Sequence, residues 1–401
     1  MDSSIGGRSE GREPEGLGAV LIPGLIILLS SSMIALSTLF VQPENPAIFH
    51  DSLARVMMSA WLHEHGLYAL FSQAWFQGLW FVFFLWIASW AVFRAWQALA
   101  AHPSPSTANL WILVVALLAM APQLVSWPLW STDVLLYNLH ARISSVHGEN
   151  PFVVAARELP GRCVGKGTSF EAGVQCRDSS ACSQGLVCRV DPYLELSPWS
   201  KHPASYGPIG VAMAESSYDV ELGIYGNAFA FRLRIALYFI LAGLLLGWAI
   251  SSRAMMVLLW SPIGWLEAGN GGHYEGVMAL ALVGLFIVWR SRDRTFAPES
   301  MGVVGGALLL IKLTAGLLMI PLFFAWMRHS GLGRALRFAM TTFFVLALGY
   351  ALVWDSPHPF AGLMAESTKT VRAPLHLLRH FLRWTSGQDP MAWLSPLALL
   401  A

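Results

Sequence analysis

Asp133 follows directly on an apolar run and opens the longest polar stretch of the chain, with Tyr137 and His140 after it at spacings of four and three. On a helix these spacings put all three side chains on one side. A carboxylate where lipid meets water suits a substrate that is half lipid and half polar. Asp133 could take the proton of a sugar hydroxyl as a general base. It could equally be an acid favoured by the dipole at a helix N-terminus, with Ser131 and Thr132 competing for the cap. Arg142 adds a cation to the same segment.

Three further groups have the right chemistry. Gly148-Glu149-Asn150-Pro151-Phe152 reads locally as a helix stop and a turn, which does not exclude a role for Asn150. Tyr206-Gly207-Pro208, preceded by Trp199 and His202, reads as a turn leading back to an apolar stretch. An aromatic ring on such a turn could stack on a sugar. Between Glu267 and Glu275, the side chains of Asn270, His273 and Glu275 could bind hydroxyls or phosphate oxygens. The plainer reading there is a glycine-rich loop whose Glu275 stabilises a helix N-terminus. His273 and Glu275 with Asp133 could ligate a divalent metal, but so few scattered ligands are poor evidence, and none is expected. Lys312, Arg232 and Arg234 are the cations available to a phosphate; for the two arginines the alternative is snorkelling.

The elements that must position these residues are membrane helices. Of 401 residues, 55% are hydrophobic and 12% charged, and the mean hydropathy is +0.54. Soluble domains carry roughly 25% charge. Apolar runs fall at 17–41, 67–95, 109–130, 228–250, 254–268, 274–290, 302–327 and 336–354, with a weaker one at 391–401. A span needs about 20 apolar residues, so the composition implies an all-α polytopic membrane protein. The 18 tryptophans suit its many interfaces. A net charge of +1 without a basic stripe leaves no reason to expect nucleic acid as a partner.

The organisation then reads as a disordered cytoplasmic tail, 1–16, three transmembrane helices in 17–130, an extracytoplasmic loop, 131–227, and the remaining helices in 228–401. The first apolar run is too long for a signal peptide. Arg8 and Arg12 place the N-terminus inside, and three crossings carry Asp133 outside. Arg253 and the cluster Arg290 to Arg294 then lie inside, with 270–275 at the outer face. The loop from Arg328 to Arg337 is basic too. Both flanks of 302–327 would then be inside, making it a re-entrant pair of short helices. Lys312, near its middle, must face protein or a watery cavity, as a single tilted span would also require. The insert 161–190 carries Cys163, Cys176, Cys182 and Cys188. An even count in an extracytoplasmic stretch reads as two disulfides with three possible connectivities; a zinc site is the alternative.

Taken in order, Ser131, Asp133 and Tyr137, then Arg142, Gly148, Asn150, Pro151 and Phe152, then Tyr206, Gly207 and Pro208, resemble the polyprenol-phosphate-sugar-dependent glycosyltransferases of the GT-C superfamily, the bacterial mannosyltransferase-like membrane proteins in particular. Asn270, His273 and Glu275 are similar to a later element of that family, and Leu310, Lys312, Thr314 and Pro321 to another. The likeness covers roughly 109–330. It implies a GT-C-like bundle of about 8–10 transmembrane helices with a large extracytoplasmic loop. It also implies a hexosyltransferase, with mannose as the family's sugar, that inverts while moving the sugar from a polyprenyl-phosphate donor to a glycan, glycolipid or protein. Asp133 matches the family's base. Tyr137, Arg142, Asn150, Tyr206, Asn270, His273, Glu275, Lys312, Arg232 and Arg234 would hold the substrate, and a metal is optional. The membrane would be the bacterial inner membrane, with the site facing the periplasm or exterior. The chain departs from the family in an additional helix pair before the acidic loop and in the cysteine insert. Two other classes stay in view. A lipid-linked sugar transporter or flippase would show internal repeats and broken helices. A non-catalytic scaffold would make Asp133 dispensable.

Overall fold

The computed structural model describes residues 15–37, 64, 74–101, 106–126, 133–165, 174–176, 182, 185–195 and 200–354. Ser131, Trp199, the tail 1–14 and the run 391–401 lie outside them. The chain divides into two compact units, 1–130 with 236–271, and 131–235 with 272–401.

In the first unit, α1 (Glu15–Ser37) packs on α2 (Ala74–Ala101) and α3 (Ser106–Val125). Apolar Val20, Ile27 and Ile34 recur every seven residues along the buried side of α1. Two polar groups on that side find partners in α3: the Ser31 hydroxyl donates to the Ala119 carbonyl at 2.6 Å, and Gln123 Nε2 donates to the Ser31 carbonyl at 2.8 Å. Inside an apolar bundle such bonds fix the pairing of helices, because a polar group without one is costly.

In the second unit, α4 (Asp133–Ser145) precedes a small antiparallel sheet of β1 (Gly161–Gly165), β2 (Val174–Cys176) and β3 (Leu186–Arg189), in the order β2-β1-β3. Next come α5 (Pro208–Glu215) and α6 (Gly223–Ala249), which runs from this unit into the first. The first unit then holds α7 (Ser252–Leu259), and the second resumes with α8 (Glu275–Arg290), α9 (Ala297–Ile311), α10 (Gly316–Ser330) and α11 (Leu332–Ala351). α9 lies close along α11: a Cβ added at Gly302 or Gly306 would stand 2.6 Å from the Cβ of Thr341 or Val345. A small-residue stripe of this kind lets two membrane helices approach without lipid between them.

The chain is mostly helical. Among the described residues, four helices are long and apolar enough to cross a membrane: 76–100, 108–125, 220–249 and 332–351. Apolar helices over 20–36 and 297–311 are shorter. This is the make-up of a helical membrane protein, with two differences from the sequence expectations. The chain is not purely α, because the cysteine insert folds as the three-stranded sheet; its residues alternate faces around valines and cysteines, which suits strands. And the run 254–268, expected as one crossing, is α7 followed by a short turn from Pro262 and a wide turn, Leu266–Asn270. Ser251 and Ser261 each cap a new start, accepting from the Ala254 and Gly264 amides, and Pro262 provides no amide to continue the preceding helix. The run 302–327 is two helices, α9 and α10. They break at Lys312, whose backbone is extended (φ −147°, ψ 112°).

Candidate functional site: a carboxylate–imidazole cluster in the second unit

Four charged or titratable side chains from three stretches of the second unit form a chain of near contacts. Asp133 starts α4. Its Oδ2 accepts from the Tyr206 hydroxyl at 3.3 Å and lies 3.9 Å from His273 Nε2. The other ring nitrogen of His273, Nδ1, is 3.8 Å from Glu275 Oε2. Glu275 Oε1 in turn receives a 2.7 Å hydrogen bond from Lys312 Nζ. All four remain reachable: the side chains of Asp133, His273, Glu275 and Lys312 are 25%, 16%, 40% and 31% exposed.

Aromatic rings form the floor beneath them. Tyr137 is buried, with ring centroids 4.8 Å from Tyr206, 4.4 Å from Tyr274 and 5.2 Å from Phe231. Its hydroxyl donates to that of Tyr206 at 3.3 Å, so a relay of phenols leads from the interior to Asp133. Burial, then the neighbouring Tyr206 and Asp133, raise the Tyr137 phenol well above its ordinary value. Tyr137 is therefore a neutral donor that orients the cluster. Tyr274 is buried as well, and its hydroxyl donates to the Gly210 carbonyl at 2.6 Å.

The local sequence explains this convergence. At Tyr206-Gly207-Pro208, Pro208 opens α5 at a position where no amide is needed. The Gly207 amide donates to the Ile311 carbonyl at 3.0 Å. A Cβ at Gly207 would sit 2.2 Å from the Leu310 carbonyl oxygen, so only glycine lets this turn seat on the end of α9. The turn carrying Tyr206 is thus docked on the helix break that presents Lys312. On the other side, the Tyr274-Glu275 start of α8 is pinned to α5 through Gly210.

Most of the remaining candidates fall elsewhere, while Arg232 packs against Gly272, beside His273. Arg142, at the far end of α4, is buried in an ion pair with Asp191, Nε to Oδ2 at 2.6 Å. It also donates to the Tyr218 hydroxyl at 2.5 Å and lies over the Tyr193 ring at 4.9 Å. His147 Nε2 joins the same carboxylate at 3.0 Å. Burial alone would raise the Asp191 carboxyl, but the hydrogen bond from His147 and the charge of Arg142 hold it below the ordinary carboxylate range. Asn150 builds a turn, its Oδ1 accepting from the Phe152 amide at 2.9 Å while Nδ2 donates to the Val353 carbonyl. Arg234 donates to the Met213 carbonyl and to both the hydroxyl and carbonyl of Ser216. Arg232 is buried, with Nε donating to the Ala228 carbonyl at 3.2 Å. Asn270 belongs to the first unit and donates to the Ser126 hydroxyl at 2.8 Å. His140 is buried, which pushes its pKa down to about 4; it serves packing as a neutral ring.

Sequence reasoning missed Tyr274 and Phe231 in the floor and Asp191 with His147 in the buried pair. Tyr274 lies between His273 and Glu275, and its aromatic type is a usable signal. Asp191 and His147 gave none, since their partner is 49 and 44 residues away.

Chemically, Asp133 offers a carboxylate oxygen as an acceptor, with an imidazole 3.9 Å away and, beyond it, the ammonium of Lys312 paired with Glu275. Two carboxylates and a ring nitrogen also form a donor set that suits a divalent cation. The ring, however, turns different nitrogens to the two carboxylates, so one ion would contact all three only after the imidazole rotates. Comparison of the chain with protein-family models, with curated proteins and with solved structures returned no match.

Proposed function

We propose that this protein is a membrane glycosyltransferase that moves a hexose, in the first instance mannose, from a polyprenyl-phosphate donor to an extracytoplasmic hydroxyl. The observation that carries the reading is the convergence of Asp133, His273, Glu275 and Lys312 in one half-exposed cluster above buried aromatic rings, in a chain whose helices suit a bilayer. Such a donor keeps its tail in lipid and its phosphosugar at headgroup level, the level at which this reading puts the carboxylate that starts α4.

The step balances with these groups alone. The acceptor O–H gives its proton to Asp133 as its oxygen bonds to the anomeric carbon. The bond from that carbon to the phosphate oxygen breaks, and polyprenyl phosphate leaves with the electron pair. A phosphate leaves readily as an anion, so no second carboxylic acid is needed, in contrast to the two carboxyl groups of glycosidases. Tyr206 holds Asp133 by the hydrogen bond to Oδ2. Lys312 offers its charge to the leaving phosphate while Glu275 positions it. The GT-C architecture, its span count and an outward-facing site in a bacterial inner membrane belong to this same proposal.

The test is sugar transfer in membranes containing the full chain, with polyprenyl-phosphomannose as donor. Asp133→Asn should abolish turnover while leaving donor binding in place. Undiminished turnover would remove Asp133 as the base, and flux of donor across vesicles without product would identify a transporter instead. Helix breaks such as the one at Lys312 are a feature a transporter would share.

A further inference from the structure

Three of the four cysteines stand on one face of the small sheet. Cys163 on β1 is in register with Val174 on β2 and Cys188 on β3, and Gly161 is in register with Cys176 on β2. Residues directly opposite one another share a face, as do residues two apart on one strand. Cys163, Cys176, Cys188 and the bare position Gly161 are therefore on the same side. Cys182 comes from the connection between β2 and β3, and it is bonded to Cys163 across a sequence separation of 19.

The other two cysteines come from the two edge strands, yet their Sγ atoms are only 2.7 Å apart. Atoms without a bond keep well apart, about 3.5–4.0 Å even for carbon pairs, and sulfur is larger. The gap to a disulfide, about 2.05 Å long, is roughly 0.7 Å. Between the two edge strands runs β1, and what lets the sulfurs meet over it is Gly161. A Cβ there would stand 2.6 Å from Cys188 Sγ and 3.7 Å from Cys176 Sγ.

We propose that Cys176 and Cys188 form a second disulfide over the backbone of Gly161, so that the four cysteines pair first with third and second with fourth. This selects one of the three connectivities that the count alone permits. The bonds interleave. One ties the β2–β3 connection to the central strand, and the other ties the two edge strands to each other, closing a sheet too small to hold itself by burial. Formation removes two electrons and two protons from the two thiols. The acceptor is a disulfide of the thiol-oxidoreductase class, which forms a mixed disulfide with one cysteine and leaves as a dithiol when the other attacks. Such oxidants act in the same oxidising compartments where the Cys163–Cys182 bond persists.

The pairing is read by mass spectrometry of the full chain, purified in detergent without reductant and alkylated under denaturing conditions. Trypsin leaves Cys176 in peptide 167–177 and both Cys182 and Cys188 in peptide 178–189. A further chymotryptic cut after Leu186 separates the last two. The expected products are one link between Cys163 and Cys182 and one between Cys176 and Cys188. In the double variant Cys163→Ser/Cys182→Ser, peptides 167–177 and 178–189 should remain joined. Gly161→Ala should lower the Cys176–Cys188 link several-fold and leave Cys163–Cys182 in place. Full alkylation of Cys176 and Cys188 beside an intact Cys163–Cys182 bond would overturn the proposal, as would a link between Cys163 and Cys188. So would one bound zinc per chain on reduced thiols, since Sγ atoms of Cys163, Cys176 and Cys182 also lie within 4.8 Å of one another.

Discussion

The two ends of α4 hold charge in opposite ways. At its start, Asp133 meets His273 across 3.9 Å in a partly exposed cluster and accepts a 3.3 Å hydrogen bond from Tyr206. At its far end, Arg142 and Asp191 are 2.6 Å apart and almost wholly buried, with His147 3.0 Å from the same carboxylate. The far end is more densely bonded: Asp191 also accepts from the Tyr193 amide at 3.0 Å, and Arg142 donates to the Tyr218 hydroxyl. A buried pair has much to lose when one partner goes. The loose cluster holds its acids and imidazole 3.8–3.9 Å apart and leaves them partly exposed. The contrast separates positioning from chemistry on a single helix of 13 residues.

The sharpest way to break the comparison is to change one residue at each end. Asp133→Asn should cut sugar transfer by about 10²–10⁴-fold, the range for loss of a general base, with the thermal midpoint nearly unchanged; scanning fluorimetry of the same preparation checks both halves. Arg142→Met should do the reverse. It leaves Asp191 buried without its arginine, for a loss of about 3–5 kcal/mol of stability, measured by denaturant or thermal unfolding, and activity should fall only in step with folded protein. If Arg142→Met abolished transfer in fully folded protein, Arg142 would belong to the site after all.

A smaller effect comes from pH. His140 is buried and neutral, with its pKa lowered from 6.5 to about 4. As pH falls below 6.5 the unfolded chain takes up a proton that the folded chain refuses until about pH 4. The stability due to the neutral ring is thus complete above pH 6.5 and is lost between 6.5 and 4, by roughly 3 kcal/mol at most. His140→Gln should flatten the unfolding midpoint across that window. Asp191, whose carboxyl is depressed, acts in the same sense at lower pH: its contribution is present above the ordinary carboxylate range and is lost as pH falls through its folded value. The smallest structural effect belongs to the loose cluster. Lys312→Gln breaks a partly exposed pair and should cost the fold about 1 kcal/mol or less, while weakening donor binding by more than Asp133→Asn does.

Much of the loose cluster was legible before any fold was known. Asp133, Tyr206, His273, Glu275 and Lys312 stood beside turns, glycines or helix ends, and such places announce themselves in residue type. Arg142 was legible as a cation and misleading as a ligand, because a buried ion pair looks like any other arginine until its partner is located. Gly207 is an instructive middle case. Its turn was evident from Tyr206-Gly207-Pro208, but its need to be glycine arises from the Leu310 carbonyl, more than 100 residues away.

Composition and apolar run length by themselves determined that this is a helical membrane protein, because a bilayer imposes its thickness and its exclusion of unpaired backbone on any segment that crosses it. The sequence also holds an even number of cysteines, four. What only the tertiary structure decided is partnership: which acid faces His273, which carboxylate buries Arg142, and which sulfurs meet over Gly161. Those choices depend on contacts between residues far apart in the chain. No local periodicity encodes such contacts, since they exist only once the intervening segments have folded back.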